Sequence, residues 1–449
     1  MEGFMKGFIL PKFISFGLSV LMMAITISLV PTSSHANTFH VTKAGNDSNT
    51  GSEISPFKTI KKGVGFLSPG DTLYVHSGTY SESILSWKTP IPNGKNWNQP
   101  ITIATYREDT VTITPPSGHA FFWIQDGQAK YLIIDGFIID GQKKAKHGLK
   151  FSNNSQYIRV QNSEIKNSAE SGVIVSICGG CQSPETAPHN TFHEFLNLNV
   201  HHNGSSIKDH GFYIETSHNL VENGNFHHNL GNGGKFFHGN LSGVANYNIA
   251  RNNVFYDNST SGKWSCGLIL SSGDGNMAYN NISYGNYAGL CILHRVTNAR
   301  LFNNISYEND HYGIYVGKPS TNNSYVENNS VYNNSGFGIF VGDKAKNSNV
   351  VNNIAYLNKR DNIGLKNQTG TTSSHNMTTD PLFMNANAKD FRLKAQSPAI
   401  DKGMFINSIS DDFTGNSRPH GSNYDIGAYE EISEGDSSPP TSPQSVFVQ

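Results

Sequence analysis

The chain has 449 residues, of which 52 are asparagine and 44 glycine, with 15% charged and 11% aromatic residues and a formal net charge of −1. That aromatic share excludes a disordered chain, and glycine without a strict three-residue period excludes a collagen. With no basic block, the sequence lacks the cationic footprint of a nucleic-acid-binding protein.

Residues 1–36 read as an export signal. Lys6 and Lys12 precede an apolar run from Phe13 to Val30, and Ser34-His35-Ala36 supplies small residues for cleavage. The run approaches the roughly 20 residues of a membrane span, but its end favours cleavage. The mature protein is expected to start near Asn37, to be secreted or held at the cell surface, and to carry no membrane span. Four cysteines in a secreted chain permit disulfides. Cys178 and Cys181 have the spacing of a small loop disulfide or of half a metal site. Cys266 and Cys291 each sit in an apolar strand and are expected to be buried free thiols.

Pro56 to Leu67 places Phe57, Ile60, Val64 and Leu67 on one helical face, predicting an N-terminal cap over an open apolar end. The strands Asp71–Val75 and Gly78–Tyr80 then begin the first coil. From residue 195 one phrase keeps returning, as in Asn252-Asn253-Val-Phe-Tyr-Asp-Asn258 and Asn280-Asn281-Ile-Ser-Tyr-Gly-Asn286. With degenerate copies included, the closing asparagines run from Asn167 to Asn358 at spacings of 36, 26, 29, 28, 23, 25 and 24 residues. Short apolar strands follow, such as Gly211-Phe-Tyr-Ile and Gly313-Ile-Tyr-Val. A turn of this length with two or three short strands is the size of one parallel β-helix coil. Such a coil buries its inner face only by stacking on its neighbours at about 4.8 Å. Asparagine suits the corners, since it tolerates the left-handed conformation and its amide can bond to the next asparagine in the stack. The predicted fold is all-β, a single-stranded parallel β-helix over residues 37–434 with a helical cap. Gly435 to Gln449, rich in Ser and Pro, is expected to be a disordered tail.

Ionisable residues that a plain repeat does not require gather between about 200 and 300. They include Asp209, His210, Glu215, Lys235, His238, Arg251, Asp274, His294 and Arg295. Aligning Gly233 with Gly211 turns Phe236 inward and Lys235 outward, one coil from Tyr213 and on the same outer face as Glu215. The other register would bury an ammonium at a cost of several kcal/mol. His201 and His227 take the place of the repeat tyrosine and are expected as ladder members, with His202 and His228 at turns. Tyr256, Tyr284, Tyr307, Tyr332 and Tyr356 read as scaffold. For zinc, neither an HExxH pattern nor close paired-ligand spacing is present.

Phe39–Asp47, Ser55–Ile60 and Pro69–Tyr80 resemble the N-terminal region of secreted right-handed β-helix proteins, among them the family 9 polysaccharide lyases. Asp380–Phe383, Ser397–Gly403 and Asp425–Glu430 resemble the "choice-of-anchor Q" module of bacterial secreted proteins, here spanning 380–430. Gly231–Asn240 resembles the Gly-rich strand that carries the catalytic lysine of family 9 lyases. The resemblance implies a right-handed β-helix and a secreted lyase that cleaves an acidic, uronic-acid-containing (pectate-like) polysaccharide by β-elimination. On that match Lys235 is the base, because abstraction of the proton α to a uronate carboxylate needs a neutral amine and nearby positive charge. Arg251 or Arg295 would neutralise the substrate carboxylate, His210 and His238 are the acid candidates, and Tyr213, Glu215, His294 and Arg295 would contact substrate. The family also implies Ca²⁺. No compact acidic run is present, and only the scattered Asp209, Glu215 and Asp274 could serve as ligands. A C5-epimerase of uronate polymers and a non-catalytic glycan-binding adhesin are the alternatives, and the chain is expected to be a monomer. A glycoside hydrolase ranks lower, since it needs two carboxylates at a defined separation.

Overall fold

The computed structural model describes residues 36–125, 129–152, 155–177, 191–238, 245–258 and 265–432, all within one compact unit. The expected signal, the Cys178–Cys181 pair and the Ser/Pro tail lie outside them. From Thr72–Val75 onward the chain winds through three parallel faces in turn. Face one has 13 strands from Thr38–Val41 to Thr372–Ser374. Face two has 11 strands from Gly78–Tyr80 to Ile354–Tyr356, and face three 11 strands from Ile84–Leu85 to Ile363–Lys366. The protein is therefore a parallel β-solenoid of about 10 turns with almost no helix, as the repeat predicts.

Alternation along each strand sends every second side chain inward. On face one Ile103, Ile134, Val160, Phe195 and Val221 stand in one inward column, each no more than 2% exposed. Upstream, Phe57, Ile60, Val64 and Leu67 are buried as expected. Their helix is a single turn, Ile60–Val64, whose Thr59 side chain accepts from the Lys62 N–H at 3.2 Å. The first coil begins earlier than the sequence suggested, because Thr38–Val41 pairs in parallel with Thr72–Val75.

The two asparagines of each repeat divide the labour that the sequence reading assigned to one. The first of each pair, as at Asn252, Asn280, Asn303, Asn328 and Asn352, is left-handed, with φ between 51° and 58°. The second and the closing asparagine point inward and form ladders. In one ladder Asn229, Asn258, Asn286, Asn309 and Asn334 each give backbone N–H and Nδ2 to Oδ1 of the asparagine one coil on. A second runs through Asn253, Asn281, Asn304, Asn329 and Asn353. All ten are fully or almost fully buried, so these bonds satisfy turn groups that water cannot reach.

The last described segment folds back onto the flank of the solenoid. Asn303, Asn328 and Asn352 donate from Nδ2 to the carbonyls of Asp411, Asp425 and Met404. Phe391 packs on the rings of Tyr307 and Tyr332. Within the segment, Arg418 and Glu430 form a buried ion pair.

Candidate functional site

On the outer side of face three, one column runs Lys150, Ile174, Tyr213, Lys235, Ile269, Cys291, Tyr315 and Phe340. The strand Gly234–Phe236 pairs Tyr213 with Lys235, the register the sequence favoured, and Phe236 is fully buried inside. Glycine is needed on this strand and in the turn before it. A Cβ at Gly234 would lie 2.1 Å from the Phe212 ring, and one at Gly231 would lie 2.3 Å from the Asp209 carbonyl oxygen.

Lys235 opens into a cleft of about 550 Å³. Tyr213, Phe237, Tyr287, Tyr315 and Ile269 form its apolar lining, and Lys208, Lys235 and Lys318 its cationic lining, with His294 beside them and no carboxylate among the lining residues. The ammonium stands 3.9 Å from the Phe237 ring centroid and 5.9 Å from that of Tyr213. Among the described residues no carboxylate pairs with it. Burial against these rings lowers its pKa to about 8, because the charged form loses hydration without gaining a counter-ion. A substantial share of this amine is therefore neutral at mildly alkaline pH.

His210 lies at the edge of the same cleft, 5% exposed. Its Nδ1 accepts from the Asn232 backbone N–H at 3.1 Å, and burial drives its pKa down to about 3. The ring is thus a neutral donor at Nε2, able to orient a ligand but not to hold a second proton for release. His294 faces the cleft and is held more neutral by burial and by the charges of Lys235, Lys318 and Arg295. Tyr213 hydrogen-bonds to Glu215, which also accepts from the Ile177 N–H at 3.4 Å. Burial raises the Glu215 pKa. His238 is half-buried, three residues beyond Lys235.

Other predicted site residues are placed elsewhere. Arg251 is on face one, where it grips both oxygens of Glu222 at 2.8 and 2.9 Å and donates to the Tyr279 hydroxyl at 3.0 Å. It is committed to that pair and is not brought to Lys235. Arg295 sits at a left-handed turn beside His294, and its charge disfavours the protonated form of that ring. The three carboxylates suggested for calcium do not converge. Asp209 binds the N–H groups of Ser205 and Ser206, and Asp274 accepts from Tyr247, Thr297 and Asn298. With Glu215 held by Tyr213, this set does not fit a calcium site. Among the described residues, no three His, Cys, Asp or Glu side chains are gathered to hold a metal ion.

Cys266 and Cys291 are not free thiols. They form a disulfide, and Cys266 lines the cleft. The sequence held a sign that went unused: they lie 25 residues apart, one repeat period, so equivalent strands bring them side by side. Lys318, Tyr287 and Tyr315 were also missed. The column from Tyr213 to Tyr315 reveals them only after the register of four coils is fixed.

A family model described as a right-handed β-helix region matches residues 147–355. A second, the DUF1565 family of unknown function, matches residues 43–92. Among solved structures, the pectate lyase Pel9A is similar at 18% identity, over 89% of this chain and 97% of that one, with a TM-score of 0.57. The GH136 lacto-N-biosidase from Eubacterium ramulus is similar at 12% identity, over 76% of this chain and 68% of that one, also with a TM-score of 0.57. No curated protein matches the chain. The fold is a right-handed parallel β-helix. Likeness at these identities is likeness of fold, and the two neighbours carry different enzyme names on it.

Proposed function

We propose that the protein is a secreted polysaccharide lyase that cleaves a uronic-acid-containing polymer by β-elimination, with residues 1–36 as its export signal. The observation that carries this reading is Lys235: a half-buried amine with its pKa lowered to about 8, in a cleft lined by cations and aromatic rings without a carboxylate. Neutral Nζ takes the proton α to the uronate carboxylate, the electron pair forms the new C=C bond, and the glycosidic C–O bond at the β carbon breaks. The departing oxygen takes a proton from water. Lys208 supplies positive charge that stabilises the enolate-like intermediate, Lys318 stands beside it paired with Asp343 at 3.3 Å, and the Tyr287 and Tyr315 rings offer faces for sugar. The resemblance of Gly231–Asn240 to the lysine-bearing strand of family 9 lyases supports the same role.

The test is to incubate the purified chain with pectate, alginate and glycosaminoglycans, with and without chelator, and to follow ultraviolet absorbance of unsaturated ends. Such ends should appear with one polymer, and Lys235→Met should abolish them while the polymer still binds through the other residues of the cleft. A C5-epimerase shares the proton abstraction but would leave chain length and absorbance unchanged. A binding module would alter nothing.

A further inference from the structure

Face two carries a second constellation, on different strands from the Lys235 cleft. Its outer column reads Lys166, His201, His227, Tyr256, Tyr284 and onward through tyrosines. From Lys166 onward the next position in each coil is a left-handed turn, filled by Asn167, His202, His228, Asp257, Gly285, Glu308, Asn333 or Leu357. The scaffold therefore accepts Tyr followed by Asn, Asp, Glu, Gly or Leu. Only two consecutive coils place histidine at both positions, so the fold itself does not ask for this pairing.

The turn folds each sequence-adjacent pair back on itself. His201 Nδ1 lies 2.7 Å from His202 Nδ1, and His227 Nδ1 lies 2.8 Å from His228 Nδ1. Within each pair the rings are near-perpendicular, at 84° and 86°. Between pairs they stack, His201 on His227 at 4.7 Å and His202 on His228 at 5.0 Å. The far nitrogens are fixed by acceptors: His201 Nε2 donates to Glu164 Oε1 at 3.0 Å, and His227 Nε2 to Asn199 Oδ1 at 3.0 Å. A proton held at Nε2 leaves Nδ1 with its lone pair, the orientation that outer hydrogen bonds impose on metal-binding histidines.

We propose that each pair is a two-nitrogen chelate for a divalent late transition ion, Cu²⁺ before Ni²⁺, with water completing the coordination. At a metal–nitrogen distance of about 2.0 Å, nitrogens 2.7–2.8 Å apart subtend about 85–90°, whereas a tetrahedral ion needs them about 3.3 Å apart. The bite therefore suits square-planar or tetragonal ions over zinc. On binding, the Nδ1 proton of His202 or His228 shifts to Nε2. The His227–His228 pair fills first. Asp257 lies 3.9 Å from His228 Nε2, while at the other pair Lys166 offsets the Glu164 carboxylate and Lys143, bonded to the His202 carbonyl, leaves a net positive charge. The second ion binds more weakly, one coil from the first.

The experiment titrates the untagged chain with CuCl₂ by calorimetry, with electron paramagnetic resonance of the bound ion. The comparison protein carries His201→Tyr, His202→Asn, His227→Tyr and His228→Asn, each substitution taken from the equivalent position of another coil so that the ladder stays filled. The wild type should bind at least one ion at micromolar affinity with imidazole-nitrogen splitting, and the variant should bind about 100-fold more weakly. Equal affinity in the two proteins, or a spectrum without imidazole nitrogen, would overturn the proposal.

Discussion

Replacing Asn309 by leucine tests the ladder directly. Asn309 is fully buried, and its Oδ1 accepts the Asn286 backbone N–H at 3.1 Å. Its Nδ2 reaches the Ser283 and Tyr307 carbonyls, both at 3.2 Å, and Asn334 Oδ1 at 3.0 Å. Leucine fills a similar volume but strands the Asn286 N–H, at about 1–3 kcal/mol, and takes the amide donor from two carbonyls, at about 0.5–1.5 kcal/mol each. Leucine's own burial offsets part of this, leaving a loss of about 3 kcal/mol. Asn309→Asp should be worse, since it turns a carboxylate oxygen toward three acceptors. Asn367→Asp, at an exposed left-handed turn, should stay within about 0.5 kcal/mol. A solenoid need not unfold in one step, so the assay is native-state hydrogen exchange alongside thermal melting. The Asn286 amide should exchange about 100-fold faster in Asn309→Leu, as 3 kcal/mol corresponds to roughly two powers of ten. Unchanged protection and unchanged melting would refute the reasoning.

Three further outcomes follow from the geometry. The Lys235 amine has its pKa lowered to about 8, and the reactive form is the deprotonated one, so turnover should rise from pH 7 to pH 9 and then level. A rate that falls over that range would remove the lysine from the base role. Reducing Cys266–Cys291 should lower the melting temperature, since a cross-link spanning 25 residues contributes about 3.5 kcal/mol through chain entropy; a Cys266→Ser/Cys291→Ser chain melting with the wild type would contradict this. Glu430→Gln leaves Arg418 charged in the interior and should cost about 3–5 kcal/mol, read as earlier melting of the C-terminal segment by near-ultraviolet dichroism.

The solenoid was legible because the repeat states it many times over, and each copy carries the same inward residues. The outer surface has no such redundancy. Lys235 could be oriented, because the wrong glycine alignment would bury its charge. Arg251 was grouped with it only because it is close in sequence, although 16 residues of solenoid carry the chain to another face. The disulfide was missed by judging each cysteine's strand alone, when the repeat length itself made the two neighbours. The histidine pairs showed no ligand spacing, because adjacent residues converge only when the second adopts a left-handed turn.

The asparagine ladders also bear on how such a chain can lengthen. Each coil offers the same acceptor to the coil before it and takes the same acceptor from the coil after it. A whole coil inserted between two others would leave every donor matched, whereas a partial insertion would strand an N–H in each ladder it interrupts. Growth is thus quantised in single turns. Turns added beyond Tyr315 would extend the outer face available to a polymer without moving any neighbour of Lys235.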